Sequence, residues 1–462
     1  MKNKMLFLFL VLVFCGCLSA QPAAKEPGIA LTIYNDNLAV VRDRRNIDFQ
    51  QGINTIKFTD VASQIDPTSV TFESLSQQPV EILEQNYEYD LVDTASLLKR
   101  YIDKPVGVSL KGSGADVGKN LDGTLLSAKD SDLIIISPQG AIKIIDRSSI
   151  EEIFLTRKPE DLVTKPTLVW LANSQTAGPQ LCKVSYMTGA IGWSADYSAI
   201  LNEDDTKLDF SGWVTIDNQS GAAYKDADIK LIAGDVRRVQ PPAPVYMDKR
   251  MSLSSMKMEQ PFEEKAFMEY HMYTLGRKST INNLQTKQIM FIEPVLQIDA
   301  NKIYIYQRDT QPDKVQIKIE FENKADNKLG IALPKGKVRV FKKDTADGTL
   351  EFVGEDAIDH TPKNEKLSLY IGNAFDIVPE YKMLDSSSTR RSRTQTHQVE
   401  LRNRKDSDVT VFVDEKFSPQ INWNIDKSSQ EYIKKEASTA RFEVKIKADS
   451  TAVLEYTATE NW

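Results

Sequence analysis

Residues able to do acid–base, nucleophilic or metal chemistry are few in this chain, and their spacing suits none of these tasks well. Histidine occurs at positions 271, 360 and 397. No two of them stand four apart, and Cys182 has no cysteine near it, so no zinc-ligand spacing is present. Surface or strand-end positions are expected for the three. Gly192-Trp193-Ser194-Ala195-Asp196 has the outline of a hydrolase nucleophile elbow. Asp196 stands where that turn needs a glycine for close backbone packing. A turn entering a strand, with Trp193 and Tyr197 as packing residues, accounts for the stretch instead. Gly112-Ser113-Gly114 lacks the Gly-Lys-Ser/Thr that would cradle a phosphate and reads as a hairpin tip.

Carboxylates pair at Asp204 with Asp205, at Asp226 with Asp228, and at Glu355-Asp356 with Asp359. Such pairs could do glycosidic acid–base work or hold calcium. No Asp-x-Asp-x-Asp-Gly loop occurs, and solvated turns explain acidic pairs in an acidic chain. Thioethers are soft ligands for Cu(I), and Met251, Met256 and Met258 are close enough in sequence to form such a site. The competing reading is an apolar-leaning segment that packs or binds a partner. Arg390, Arg391 and Arg393 make a small basic patch. It reads as a solvated loop, with contact to an anionic polysaccharide or lipid headgroup as the functional alternative. No catalytic or cofactor-binding residue is nominated, and no cofactor is expected.

Lys plus Arg number 58 against 65 Asp plus Glu, a formal charge of −7. An acidic balance disfavours a nucleic-acid binder, which needs a basic face. Lys2 and Lys4 precede an apolar run from Met5 to Phe14, and Gly16, Ser19 and Ala20 follow. That order is a secretory signal peptide over residues 1–20, and the run is too short to cross a bilayer as a helix. Two processing routes are open. Cleavage after Ala20 would leave Gln21 first and Cys182 as the one remaining cysteine. Alternatively, Gly16-Cys17 has the form of a lipobox end, with Phe14 and Cys15 departing from its usual residues, and Cys17 would carry a lipid anchor. Without a disulfide framework the fold must rest on buried core, and Cys182, in Leu181-Cys182-Lys183-Val184, is expected to be part of it.

The elements that position these residues are strands. Apolar residues alternate with period two in Val315-Gln316-Ile317-Lys318-Ile319-Glu320-Phe321-Glu322, in Arg441–Lys447, and from Leu208 to Asp217. One face of each is apolar and the other charged, the pattern of half-buried antiparallel strands. The expected fold is mainly β: several antiparallel modules and one short helix. An N-terminal β domain covers 28–92, with strands near 30–34, 39–44, 54–58, 70–75 and 80–85. Residues 93–157 hold a helix at 94–102, started by Asp93 and stopped before Pro105. A small SH3-like barrel follows, with five short strands near 106–110, 121–126, 133–136, 142–145 and 151–154. Two sandwich-like units follow, at 162–300 and 301–462, with a Met-rich crossing at 240–273. The strands are too short and uneven for an outer-membrane barrel, despite the terminal Trp462.

Three stretches echo one another: Thr215-Ile216-Asp217-Asn218-Gln219-Ser220, Glu320-Phe321-Glu322-Asn323-Lys324-Ala325 and Glu400-Leu401-Arg402-Asn403-Arg404-Lys405. Each is a strand that ends in Asn before a polar turn. Convergent turn chemistry and repeated use of one immunoglobulin-like strand pair both explain them.

Several longer stretches carry a family resemblance. They include Ile33-Tyr34-Asn35-Asp36-Asn37-Leu38-Ala39-Val40-Val41-Arg42, Gln64-Ile65-Asp66-Pro67-Thr68-Ser69-Val70 and Lys165-Pro166-Thr167-Leu168-Val169-Trp170. Tyr186–Tyr197, Glu269–Leu275 and Gly354–Pro362 add to them. Together they resemble the bacterial family named for domain of unknown function 4139, linked to mucoidy-inhibitor-like proteins, over nearly the whole chain after the leader. Some relatives insert a long coiled coil in the region where this chain shows only the small module. The resemblance implies an exported, mainly β protein and carries over no catalytic residue.

The functional expectation is an exported, periplasmic or envelope-associated protein that binds another envelope protein or a surface polymer without catalysis. The alternative is an exported hydrolase acting on glycans or peptides through carboxylates.

Overall fold

A computed structural model describes residues 26–76, 79–88, 94–111, 120–129, 131–155, 165–234, 236, 262–267 and 270–462. The leader, Cys17, the Gly112–Gly114 tip and Met251, Met256 and Met258 lie outside them. Strands dominate, and the one α-helix among the described residues is Thr94–Arg100. Among these residues no helix is long and apolar enough to cross a membrane. The chain divides into two compact units. One comprises residues 1–29, 42–59 and 70–185, and the other residues 30–41, 60–69 and 186–462.

In the first unit Thr167–Ser174 is the middle strand between Gly52–Thr59 and Val80–Glu88, antiparallel to both. Its Trp170 is fully buried. The ring meets Phe58 and Phe72 at centroid distances of 5.5 and 5.3 Å, and Nε1 donates to Gln85 Oε1 at 2.9 Å. Burying such a ring removes a large apolar area while its one donor stays satisfied. Cys182 packs with Phe49 and Ala172 as a core residue.

The same unit holds a five-stranded sheet in the order Ile150–Leu155, Pro105–Leu110, Asn120–Ala128, Asp132–Ile136, Ile142–Asp146. All five expected strands are present, but the expected closed barrel is not. Ile142–Asp146 and Ile150–Leu155 are neighbours in sequence yet form the two opposite edges. The three-residue 3-10 turn Arg147–Ser149, capped by Asp146 accepting from Ser148 N–H at 2.7 Å, redirects the chain where a hairpin would have closed the sheet. Leu98 and Tyr101, from the helix and its end, fill the core with Val106, Val108, Leu125, Leu133 and Ile135.

In the second unit one sheet is mixed and another antiparallel throughout. A ten-stranded sheet contains Leu350–Ile358, Gly336–Lys343, Ile191–Leu201, Lys207–Asn218, Gln285–Tyr306 and Val409–Lys416 in that order. A four-stranded sheet runs Ile377–Ser388, Ser392–Asn403, Ser450–Asn461, Asn422–Ser428. Within this unit one arrangement occurs three times. A strand ending at or just before an Asn is the middle of an antiparallel trio. Lys207–Asn218 lies between Ile191–Leu201 and the first part of Gln285–Tyr306. Val315–Glu322 lies between the last part of Gln285–Tyr306 and Lys366–Asn373. Ser392–Asn403 lies between Ile377–Ser388 and Ser450–Asn461. The strand after each Asn turn then leaves its trio and pairs in parallel with the first strand of the preceding hairpin. Thus Tyr224–Ala233 joins Gly28–Tyr34, Gly336–Lys343 joins Ile191–Leu201, and Val409–Lys416 joins Gln285–Tyr306.

The three Asn side chains explain the repeat. All are fully buried. Asn218 Nδ2 donates to the carbonyls of Ala222 and Asn282, both at 2.9 Å. Asn323 Nδ2 donates to Ile331 and Pro362 at 2.7 and 3.0 Å. Asn403 Nδ2 donates to Ser407 and Lys447 at 2.8 and 2.9 Å. Each Oδ1 accepts a backbone N–H of the turn, from Ser220, Gly330 and Lys405. One amide thus ties its own turn to the chain segment that enters the trio's last strand. A buried turn leaves backbone groups that must be paired, and only a carboxamide offers donors and an acceptor at that distance. The sequence echo thus marks one strand-and-turn arrangement used three times in this unit.

Candidate functional site

The hairpin Ile191–Leu201 with Lys207–Asn218 turns its odd-numbered residues on the first strand, and its even-numbered residues on the second, toward the core. Trp193, Ala195, Tyr197, Phe210, Val214 and Ile216 are buried. Trp193 Nε1 donates to the Ile232 carbonyl at 3.2 Å, and Tyr197 O–H to that of Pro334 at 2.8 Å. Ser194 is therefore an outward residue of a continuous strand and not an elbow. Tyr197 also stacks on Phe210 at 5.3 Å, and burial pushes its phenol well above the ordinary range.

The opposite parity faces water. Pairing places Ser194 against Thr215 and Asp196 against Trp213. Thr215 faces Gln288 and Trp213 faces Met290 on the neighbouring strand, and Asp196 faces Lys337 on the other side. At one end of this face is an open groove of about 430 Å³. Asn35, Asn37, Ala190–Ser194, Thr215, Asp217 and Gln219 line it. The Asn35–Asn37 turn is fixed over Gly192, where a Cβ would come within 3.5–3.6 Å of its backbone. Asn35 Nδ2 donates to the Trp193 carbonyl at 3.1 Å. Its Oδ1 is buried and finds no hydrogen-bond partner among the described residues. Asn37 and Ala190 both sit at left-handed φ, 49° and 53°, which for Ala stores about 1–2 kcal/mol.

The groove's polar side chains are already organised. Thr215 O–H donates to Asp196 Oδ2 at 2.7 Å. Gln219 Nε2 donates to Asp217 Oδ2 at 2.9 Å, and Thr286 O–H to Asp217 Oδ1 at 3.1 Å. Beside the groove, Asp196 pairs with Arg339 at 3.5 Å, and Glu355 with Lys337 at 3.3 Å. Trp213 stands on this polar face with 39% of its surface exposed. Further along, Phe341 and Phe352 meet edge-on at 5.9 Å, and Phe352 is exposed.

Several of the other nominated residues have structural partners. Asp205 is buried, and Lys302 and Lys342 bind it, the latter at 2.6 Å; burial opposes ionisation, yet their hydrogen bonds hold the carboxyl below its ordinary range. Asp226 accepts from Thr280 O–H. Glu355 is in the ion pairs above, Asp356 accepts from Tyr370 N–H at 2.7 Å, and Asp359 accepts from His360 N–H. Arg393 pairs with Glu460, while Arg390 and Arg391 are exposed. Burial pushes the Cys182 thiol up to about 11. No cluster of three His, Cys, Asp or Glu able to hold a metal occurs among the described residues.

His397 departs from expectation. It lies within the strand Ser392–Asn403 and is buried, because the strand's inward parity carries it into an aromatic core. Nδ1 shares a 2.8 Å hydrogen bond with Tyr381 O–H, and the ring lies 5.0 Å from that of Tyr456. Tyr456 O–H donates to Glu415 Oε2 at 2.7 Å, and Arg308 donates to Glu415 Oε1 at 2.6 Å. Burial raises the Glu415 carboxyl, with Arg308 and Tyr456 pulling it back, and burial, aided by Arg308 and Arg393, lowers His397 to about 4. Spacing gave no warning of this cluster, since its members come from five strands or loops. Trp213 was legible: alone among the large apolar residues of 208–217 it breaks the alternation.

A family model, Domain of unknown function (DUF4139), matches residues 182–462. The chain belongs to the DUF4139 family. The DUF4139 match begins at the core cysteine and includes the three Asn turns, the Glu415 cluster, Trp213 and every groove residue except Asn35 and Asn37. Among curated proteins none matches this DUF4139 chain.

Proposed function

We propose that this DUF4139 protein is exported to the cell envelope and acts there by binding a surface partner rather than by catalysis. One observation carries the reading. A half-exposed indole, Trp213, stands in the middle of a rigid sheet face beside a groove whose polar groups are already oriented. The exposed two-fifths of the ring adds no buried area to the fold, whereas a ligand that covers it gains that area. The strand floor is fixed by backbone pairing, so little ordering cost accompanies binding. The signal peptide at 1–20 supports export. Cleavage after Ala20 would free the chain, and acylation of Cys17 would anchor it by lipid alone.

The test is co-sedimentation of the leaderless full chain with the envelope fraction of its own cells, beside Trp213→Ala. Saturable binding weakened at least tenfold in the variant is expected. Equal binding by both, or release of reducing ends or peptides from the fraction, overturns the reading. Mass analysis of the exported protein distinguishes a Gln21 start from an acylated Cys17.

A further inference from the structure

We infer that the ligand of this face is an uncharged saccharide chain, laid along the strands from the groove at Asp217 past Trp213; the inference rests on the binding reading above. Three features of the face point to that chemistry. The first is its hydrogen-bonding inventory: Ser194, Thr215 and Thr286 offer hydroxyls, Asn37, Gln219 and Gln288 offer carboxamides, and Asp217 offers a carboxylate, all on the outward parity or the groove rim. Each Asp217 oxygen accepts one hydrogen bond from the protein, so lone pairs remain for incoming donors. Dense, mixed donors and acceptors match vicinal sugar hydroxyls.

The second feature is charge. Lys337 and Arg339 are engaged by Glu355 and Asp196, and Asp217 has no cation among its hydrogen-bond partners above. An anionic polymer would meet the Asp217 carboxylate, while the nearby cations Lys335, Lys337 and Arg339 are paired with Asp36, Glu355 and Asp196. A neutral chain instead finds in that carboxylate an acceptor for its hydroxyl protons. The third is spacing. Trp213 is four residues from Asp217 on one strand, about 13–14 Å at the rise of an extended strand. Sugars bound at the groove would therefore be followed, two or three rings on, by one whose C–H face can lie against the indole. Further along the sheet Phe341, opposite Ile200, meets Phe352 edge-on.

Calorimetric titration of the leaderless full chain tests this. The probes are neutral hexasaccharides of glucose, galactose, mannose or N-acetylglucosamine, with a polyuronate of similar length as the anionic control. At least one neutral probe should bind, with affinity unchanged between low and moderate salt. Trp213→Ala should weaken it at least tenfold, Trp213→Phe less, and Asp217→Asn severalfold, with circular dichroism unchanged in all three. Binding of none of the neutral probes, tighter binding of the polyuronate, or full affinity in Trp213→Ala overturns the inference. If the chain still sediments with its envelope fraction while no saccharide binds, the saccharide assignment falls and the binding reading stands. If it does neither, both fall.

Discussion

The outer face around Trp213 and the cluster around Glu415 draw on the same stock of carboxylate, arginine, hydroxyl and aromatic groups. On the face, Asp217 is held by Gln219 and Thr286, and Thr215 by Asp196, and all remain open to solvent. In the cluster, Glu415, Tyr456 and His397 are each under 5% exposed, and they bond to Arg308, to Tyr381 or to one another. The difference is one of strand parity and cover. The face lies on the outward side of its sheet, while the cluster lies on inward sides of strands that are covered. Perturbed titration therefore marks the enclosed site, whereas the groups that can meet a partner lie on the open face. A strongly shifted group is a functional candidate only when something can reach it.

That contrast can be broken or sharpened by experiment. The largest effect should follow from Arg308→Ala. Removing one partner leaves the Glu415 carboxylate buried without its cation, a loss of about 3–5 kcal/mol in urea unfolding. Trp213→Ala should cost less, about 1–2 kcal/mol, from the cross-strand packing of the covered part of the ring. If Arg308→Ala is equally mild, water reaches the cluster and the distinction fails.

Acid titration should separate the regions next. His397 stays neutral in the fold down to about 4 but protonates near 6.5 when unfolded. The unfolded state then binds more protons between those values. Stability from this residue is complete above pH 6.5 and is lost progressively toward pH 4, by about 3 kcal/mol. Glu415, whose carboxyl is raised, acts in the opposite sense and offsets part of that loss. Urea unfolding from pH 7 to pH 4 should show a steeper decline for the wild type than for His397→Gln; parallel curves would show that the ring is solvated.

Asn323→Ala should cost about 1–3 kcal/mol, because the carbonyls of Ile331 and Pro362 and the N–H of Gly330 lose their partner in a buried turn. Asn218→Ala and Asn403→Ala should cost similar amounts if the three turns are equivalent. A variant of Asn218 that unfolds no more easily than wild type would break that equivalence. The smallest effect concerns Cys182. With its thiol near 11 and its side chain buried, labelling by an alkylating reagent at pH 8 should be far slower than in the urea-unfolded chain.

Much of the fold was open to sequence reading wherever local pattern decides. The stretch 315–322 alternates strictly, and the strand is Val315–Glu322. The five strands of the small module fall where turn residues divide them. Alternation also placed Trp193 and Tyr197 inward, and the echo of three Asn turns was visible before any partner was known. Closure of the small sheet was not legible, since it depends on which edges meet across Arg147–Ser149. Parallel pairing was missed for a similar reason, because the strand that leaves each Asn turn finds a partner more than 100 residues away.

By itself, then, the sequence determined strand identity, side-chain parity and the Asn turns, because each depends on neighbours within a few residues. Tertiary structure alone decided that Asn35 meets the Trp193 backbone, that Glu415 is enclosed by Arg308 and Tyr456, and that the hairpin's outer side forms a groove. These contacts join residues separated by 41 to 158 positions, and their cost in chain entropy is recovered only when whole sheets assemble.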